Sequence, residues 1–137
     1  MDKLLPEEVA LDFHRTTAQL LFLSARASPD IRTAVSFLCS RTKAPDEDDW
    51  GKLKRVLKYL YGTRHMKLCL TADSLHTLTW WVDASYAVHW DSRSHTGMVM
   101  SLGLGGAMSG SWRQKLNTGS STKAELVGID DALKYIM

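Results

Sequence analysis

Apolar positions recur at helical spacing in the first half of the chain and alternate like strand residues in the second. The pattern predicts a first helix that opens at Pro6, Glu7 and Glu8 and runs through Leu20, Leu21 and Leu23 to about Ala25. Ser28-Pro29-Asp30 predicts a second start: a hydroxyl cap, proline at the first helical position and an acid at the positive end of the helix dipole. Ile31, Ala34, Val35, Leu38 and Cys39 form the apolar face of that helix. A third helix follows Pro45, with Asp46 as cap and Glu47, Asp48 and Asp49 in the first turn. Trp50, Leu53, Val56, Leu57, Leu60 and Tyr61 make its buried stripe, and Gly62 stops it.

The texture changes near Arg64, which divides the chain into a helical segment, 1–63, and a second region, 64–137. Met66 to Leu70 predicts a short strand. Leu78, Trp80 and Val82 alternate with Thr79, Trp81 and Asp83, a strand that ends on an acid. Asp91 to His95 reads as a turn, Met98, Met100 and Leu102 as the next strand, Gly103 to Gly106 as a turn and Met108 to Trp112 as the return. Short turns between consecutive strands imply an antiparallel meander. A helix resumes at Ser121, with Glu125, Ile129, Ala132 and Ile136 on the face expected to lie on the sheet. Thr122-Lys123-Ala124-Glu125 matches a capping box. The helical pattern is still running at Met137, which reads as a truncation. The fold class is therefore α/β.

The 137 residues are 45% hydrophobic and 23% charged with a formal net charge of +2, so the charge distribution carries more than its sum. After the acids at 46–49, no Asp or Glu occurs from Trp50 to Ala72, where Lys52, Lys54, Arg55, Lys58, Arg64 and Lys67 fall. A second acid-free stretch, Ser92 to Ala124, carries Arg93, Arg113, Lys115 and Lys123. Such stretches can follow a phosphate backbone, or they can simply be solvated surface. Cys39 and Cys69 read as small core residues of a reducing compartment, and the five histidines are scattered without metal-ligand spacing. Trp80, Trp81 and Trp112 read as core. The acidic, amphipathic start is unlike a signal peptide, and no apolar run is long enough for a bilayer. An intracellular protein, cytoplasmic or nuclear, with no membrane partner, is expected.

Asp83 alone reads best as a strand-end acid turned to water, and Glu125 alone as a capping residue. Together they form a more specific pattern, because a strand-end Asp and a Glu in the first turn of a later helix can converge at the rim of one sheet. Paired carboxylates without His or Cys favour a hard ion such as Mg²⁺. Two such ions can activate water and stabilise the leaving oxygen in phosphodiester cleavage.

Four segments carry a family resemblance. Val82-Asp83-Ala84-Ser85-Tyr86-Ala87, followed by Asp91-Ser92-Arg93-Ser94-His95-Thr96-Gly97, resembles the "DADxA…D.RSTSG" region of copia-type RNase H domains. Ser111-Trp112-Arg113-Gln114-Lys115 and Ser120-Ser121-Thr122-Lys123-Ala124-Glu125-Leu126 are similar to their "SxKQ…SSTEAEL" region. Ser28-Pro29-Asp30-Ile31 with Ala34-Val35-Ser36 resembles the "RPDI…AVS" stretch after the polymerase. Trp50 through Thr63 resembles "W…KRxLRYLxGT". In order, and from about Phe13 onward, these match the Pol polyproteins of copia-type LTR retrotransposons, across the reverse transcriptase connection and the first part of RNase H.

The resemblance implies a helical connection segment followed by a partial RNase H-like fold, a three-stranded antiparallel meander plus a helix. It implies Asp83 and Glu125 as catalytic, metal-binding carboxylates for Mg²⁺ or Mn²⁺ in a two-ion site. It also implies an RNA–DNA hybrid or template–primer as partner, together with the remainder of the Pol polyprotein. Lys54, Arg55, Lys58, Arg113 and Lys115 are the candidate phosphate contacts. Lys123 departs from the family pattern, which has an acid there, and the family's third and fourth acids lie beyond this chain. Little nuclease activity is therefore expected of the chain alone. A non-catalytic nucleic-acid-binding module and a decayed reading frame are the alternatives.

Overall fold

The computed structural model describes residues 3–136, and the chain divides into two compact units, Met1–Leu68 and Cys69–Met137. No described helix is long and apolar enough to cross a membrane. The architecture is α/β: four α-helices and one three-stranded antiparallel sheet.

The first unit contains α1 (Glu7–Arg26), a 3₁₀ turn (Pro29–Ile31) that runs into α2 (Arg32–Arg41), and α3 (Glu47–Thr63). Their apolar stripes meet in one core of Phe13, Leu20, Ile31, Val35, Leu38, Leu53 and Val56, with the Phe13 ring tilted against Trp50. Each of these larger side chains contributes about 1.5–3 kcal/mol by leaving water. Three details differ from the sequence reading. Ser28 makes no capping hydrogen bond, because Pro29 begins a 3₁₀ turn rather than an α-helix. Gly62 lies inside α3, which continues to Thr63. Leu57 and Tyr61 face solvent, since the buried stripe is narrowed to Asp49, Leu53 and Val56.

The start of α3 is held as its acids predict, and more firmly. Asp46 Oδ1 accepts from the Asp49 amide at 2.8 Å while Asp49 Oδ2 accepts from the Asp46 amide at 3.2 Å, a reciprocal capping box. The Arg41 guanidinium from the end of α2 bridges both carboxylates, at 2.9 Å to Asp49 and 3.1 Å to Asp46. Asp49 is buried, so this one arginine neutralises a charge that would otherwise stand alone in the interior.

The second unit opens with an irregular stretch and then β1 (Thr79–Ser85), β2 (His95–Ser101), β3 (Met108–Arg113) and α4 (Ser121–Ile136). The strand expected over Met66 to Leu70 does not form. Met66, Leu68 and Leu70 are exposed, so their alternation has no sheet face to cover. The segment after it instead lies along the β2–β3 turn, with the Thr71 and Asp73 amides donating to the Leu104 and Leu102 carbonyls. Gly105 is required there. Its φ is +80°, and a Cβ would collide with the Cys69 carbonyl oxygen.

The sheet order is β1-β2-β3, so β1 is an edge, with no strand beyond it among the described residues. Val82 pairs with Met98, Asp83 with Gly97 and Ala84 with Thr96; Thr96 in turn pairs with Trp112 and Gly97 with Ser111. One face of the sheet thus carries Trp80, Val82, Ala84, Thr96, Met98 and Trp112, and α4 covers it. The contact uses Ala124, Gly128 and Ala132, so of the predicted face Ala132 is buried while Glu125, Ile129 and Ile136 are exposed. Small residues win because the helix lies so close. A Cβ on Gly128 would sit 3.3 Å from the Ala84 Cβ and 3.4 Å from Thr96 Oγ1. Glu125 and Ile129 are turned to solvent as a result.

These packings have consequences that unfolding experiments can read. Arg41→Met leaves Asp49 buried without its cation and is expected to destabilise the first unit by about 3 kcal/mol in urea denaturation. Asp46 has its carboxyl held below the usual range, first by the Asp49 amide hydrogen bond and then by Arg41. That contribution is complete above the unfolded value near 4 and is lost as pH falls through the lower folded value, so the Arg41 variant should also show a flatter acid limb. Gly128→Val is expected to cost about 1–3 kcal/mol in thermal or urea unfolding of the second unit, because Ala84 cannot yield without moving β1. An unchanged midpoint would mean that α4 does not pack this closely.

Candidate functional site

Asp83 and Glu125 reach the surface from the two sides of β1. Ala84 faces α4, so its neighbour Asp83 leaves the sheet on the uncovered face, opposite Gly97. Glu125 is exposed in the first turn of α4, next to buried Ala124. Both stand at the same end of the sheet. The Gln114 side chain donates to Thr96 Oγ1 at 2.9 Å and to the Ala124 carbonyl at 2.8 Å, which pins the first turn of α4 beside the Ala84–Thr96 pair. The two acids are therefore exposed near one end of the sheet and on different faces of it. Glu125 is not a capping residue: Ser120 Oγ accepts from the Lys123 amide at 3.3 Å, so the cap lies two residues earlier than the Thr122 box.

As a donor set, two exposed carboxylates suit a hard divalent ion in kind but not in number. Among the described residues, no three His, Cys, Asp or Glu side chains are grouped to hold a metal. Asp83 and Glu125 could each contribute an oxygen, and further oxygen donors are needed to fix an ion between them.

The basic candidates fall into two groups. Lys54, Arg55 and Lys58 are exposed on α3, and Lys54 and Lys58 lie one turn apart on the same side. The Lys54 ammonium sits 5.5 Å from the Trp50 ring centroid, while Lys52 is paired with Asp48 at 2.6 Å. In the second unit Lys115 is exposed, but the Arg113 guanidinium is committed to Asp91 at 3.0 Å, where Arg93 also pairs at 3.3 Å. Arg113 is thus half of an ion-pair cluster that closes the β1–β2 turn, and less available to a phosphate than the α3 group.

That turn contains a constellation that sequence reading treated as scattered. His89 Nε2 lies 3.0 Å from His95 Nδ1, and His95 Nε2 lies 2.7 Å from Ser111 Oγ. The signal was the predicted turn itself, which folds residue 89 back on residue 95. Trp81, expected in the core, is 56% exposed on the uncovered face, beside Asp83 in the alternation. Cys69 is exposed, whereas Cys39 is half-buried and its thiol is pushed up by burial.

Several curated proteins are similar to this chain. A putative transposon Ty5-1 protein of Saccharomyces cerevisiae is 31% identical over 128 residues, 90% of this chain and 41% of its own length. The retrovirus-related Pol polyprotein from transposon RE2 of Arabidopsis thaliana is 36% identical over 98 residues, 71% of this chain and 7% of its own. A protein named secreted RxLR effector protein 161, from Plasmopara viticola, is 31% identical over 116 residues, 82% of this chain and 80% of its own. The chain therefore spans less than half the length of each of these transposon relatives, the Ty5-1 protein and the RE2 polyprotein. No family model and no solved structure matches it. The transposon names define a class of mobile-element proteins. Within that class, the chain belongs to the Pol polyproteins of copia-type retrotransposons.

Burial lowers the pKa of both His89 and His95; Arg113 lowers His89 further, against the opposite pull of Asp91, and His89 adds to the lowering of His95. A base with a depressed folded pKa stabilises the fold above its unfolded value, near 6.5, and that stability is lost as pH falls below it. Hydrogen-exchange protection factors over residues 86–94, corrected for the intrinsic pH dependence of amide exchange, should therefore be lower at pH 5.5 than at pH 7.5. The difference should shrink in the His89→Gln/His95→Gln double variant. Equal pH dependence in both proteins would remove the histidines as its cause.

Proposed function

We propose that this segment supplies the first part of an RNase H-type site, which cleaves the RNA strand of RNA–DNA hybrids in the intact Pol polyprotein. The observation that carries this reading is the placement of Asp83 in β1 and Glu125 in the first turn of α4, at one end of an open-edged strand. Asp83 and Glu125 would hold Mg²⁺ or Mn²⁺ through carboxylate oxygens, with further acids of the intact protein completing the set. The ions supply a nucleophilic water at neutral pH and charge for the leaving oxygen. The chain's own residues do the rest: β1 and α4 hold the two carboxylates in place, and exposed Lys115 is available to a phosphate of the hybrid. Recognition of a hybrid would follow backbone and groove shape rather than sequence.

A second reading, phosphate binding without cleavage, is favoured by one observation of its own: the exposed Lys54, Arg55 and Lys58 face of α3. A chimera separates the two. Residues 69–136 placed at the matching positions of a full-length copia-type Pol polyprotein should cut a labelled RNA–DNA hybrid with Mg²⁺ or Mn²⁺. Asp83→Asn and Glu125→Gln should each lower that rate by at least about 100-fold, the scale of losing a group that positions the reacting charge. A folded chimera that binds hybrid and never cuts would leave only the binding reading. The isolated chain is expected to show no metal-dependent cutting.

A further inference from the structure

We propose that the C-terminal end of α3 holds an unpaired nucleotide, stacking its base on Tyr61 while Lys54, Lys58 and Arg64 follow the adjoining phosphates. The inference rests on the nucleic-acid side of the proposed function and adds to it a ligand form, single-stranded nucleic acid, and a stacking residue. Tyr61 is 71% exposed, although the helical pattern assigned it to the core. The Arg64 guanidinium lies 4.3 Å from the Tyr61 ring centroid, and its Nη1 donates to the Tyr61 carbonyl at 2.6 Å. One ring face is thereby covered by a flat cation, and the high exposure leaves the other open. The hydrogen bond to the backbone fixes the arginine there instead of leaving it to wander in solvent.

Helix geometry joins this pair to the lysines. Lys54, Lys58 and Tyr61 lie within about 60° of one another around the axis, and about 10 Å separates the first from the last along it. The stretch from Trp50 to Arg64 contains no Asp or Glu. Asp48 is occupied by Lys52, and Asp30 accepts from the Tyr59 hydroxyl at 2.5 Å. The stripe is therefore a run of positive charge ending in an exposed aromatic face. Phosphates answer the lysines, and a π-face answers the tyrosine, which is the combination single strands offer. In a duplex the base faces are already stacked on their neighbours, so an unpaired segment fits and a blunt helix does not.

Fluorescence anisotropy of the full chain with short labelled single strands, DNA and RNA in separate arms and without divalent metal, tests the assignment. Wild type should bind single strands more tightly than a blunt duplex of the same sequence. Tyr61→Ala should weaken single-strand binding about tenfold, and Tyr61→Phe should keep it. Lys58→Ala should reduce the slope of log affinity against log salt by about 0.7. Exposure of Tyr61 makes the alanine variant a safe one for folding, and its circular dichroism should match wild type. The proposal is overturned if Tyr61→Ala binds as wild type at every salt, if Tyr61→Phe falls as far as Tyr61→Ala, or if blunt duplex is preferred. Since the readout is metal-free binding, its failure leaves hybrid cleavage by the chimera untouched.

Discussion

The side-chain amide of Gln114 holds the second unit together. It is fully buried and donates both to a strand hydroxyl, Thr96 Oγ1, and to a helix carbonyl, that of Ala124. Its own backbone amide donates to the Ser94 carbonyl at 2.9 Å, so one residue ties the β1–β2 turn, β2 and the start of α4. Its Oε1 is buried without a hydrogen-bond partner, which subtracts from that gain. A three-stranded sheet with one helix has little apolar area to spend on orientation. Polar bonds with fixed directions set the helix register where hydrophobic contact would let it slide.

That register explains the surface chemistry. With Ala124 beside Thr96, helical periodicity brings Gly128 over Ala84 and then Ala132, and a glycine is what lets the axis come so near. Glu125 is then the first outward residue of the helix, while sheet alternation sends Asp83 out of the opposite face. The carboxylates stay in water, so neither demands a buried counter-ion, and β1 keeps an unpaired edge. An open edge is a liability in a finished sheet. With two acids exposed near one end of the sheet, it is also the place where added structure would change the chemistry most.

Much of the fold was legible because its elements obey strong local rules. The acids after Pro45 specify a capped helix, and the alternation around Trp80 and Met98 specifies a meander. Several errors share one cause: hydrophobic character was read as burial. Tyr61, Leu57, Trp81 and Ile129 are all exposed, because the partners that actually fill the interfaces are small or polar: Asp49, Gly128 and Gln114. Periodicity identifies a helix but fixes its buried face only to within a residue or so. For α4 that one residue moved Glu125 from the sheet to solvent. The predicted turn brings residues 89 and 95 near each other, but the contact of their rings depends on a path in which Ala87 and Ser92 have positive φ, and neither residue type signals that conformation.

Charge was legible as composition but not as availability. The acid-free stretch containing Arg113 looked as suitable for phosphates as the one containing Lys58, yet folding brings Asp91 to Arg113 across the turn and cancels much of it. On α3 Asp48 is paired with Lys52, and Asp46 and Asp49 with each other's amides and Arg41, while exposed Glu47 keeps its charge about two turns before Lys54. The capping box that makes the helix start stable therefore also withdraws its negative charge from the basic face further along. A salt-dependent ligand responds to the charge left over after such internal pairing. By that measure the later turns of α3, not the end of β3, form the more electropositive surface of this chain.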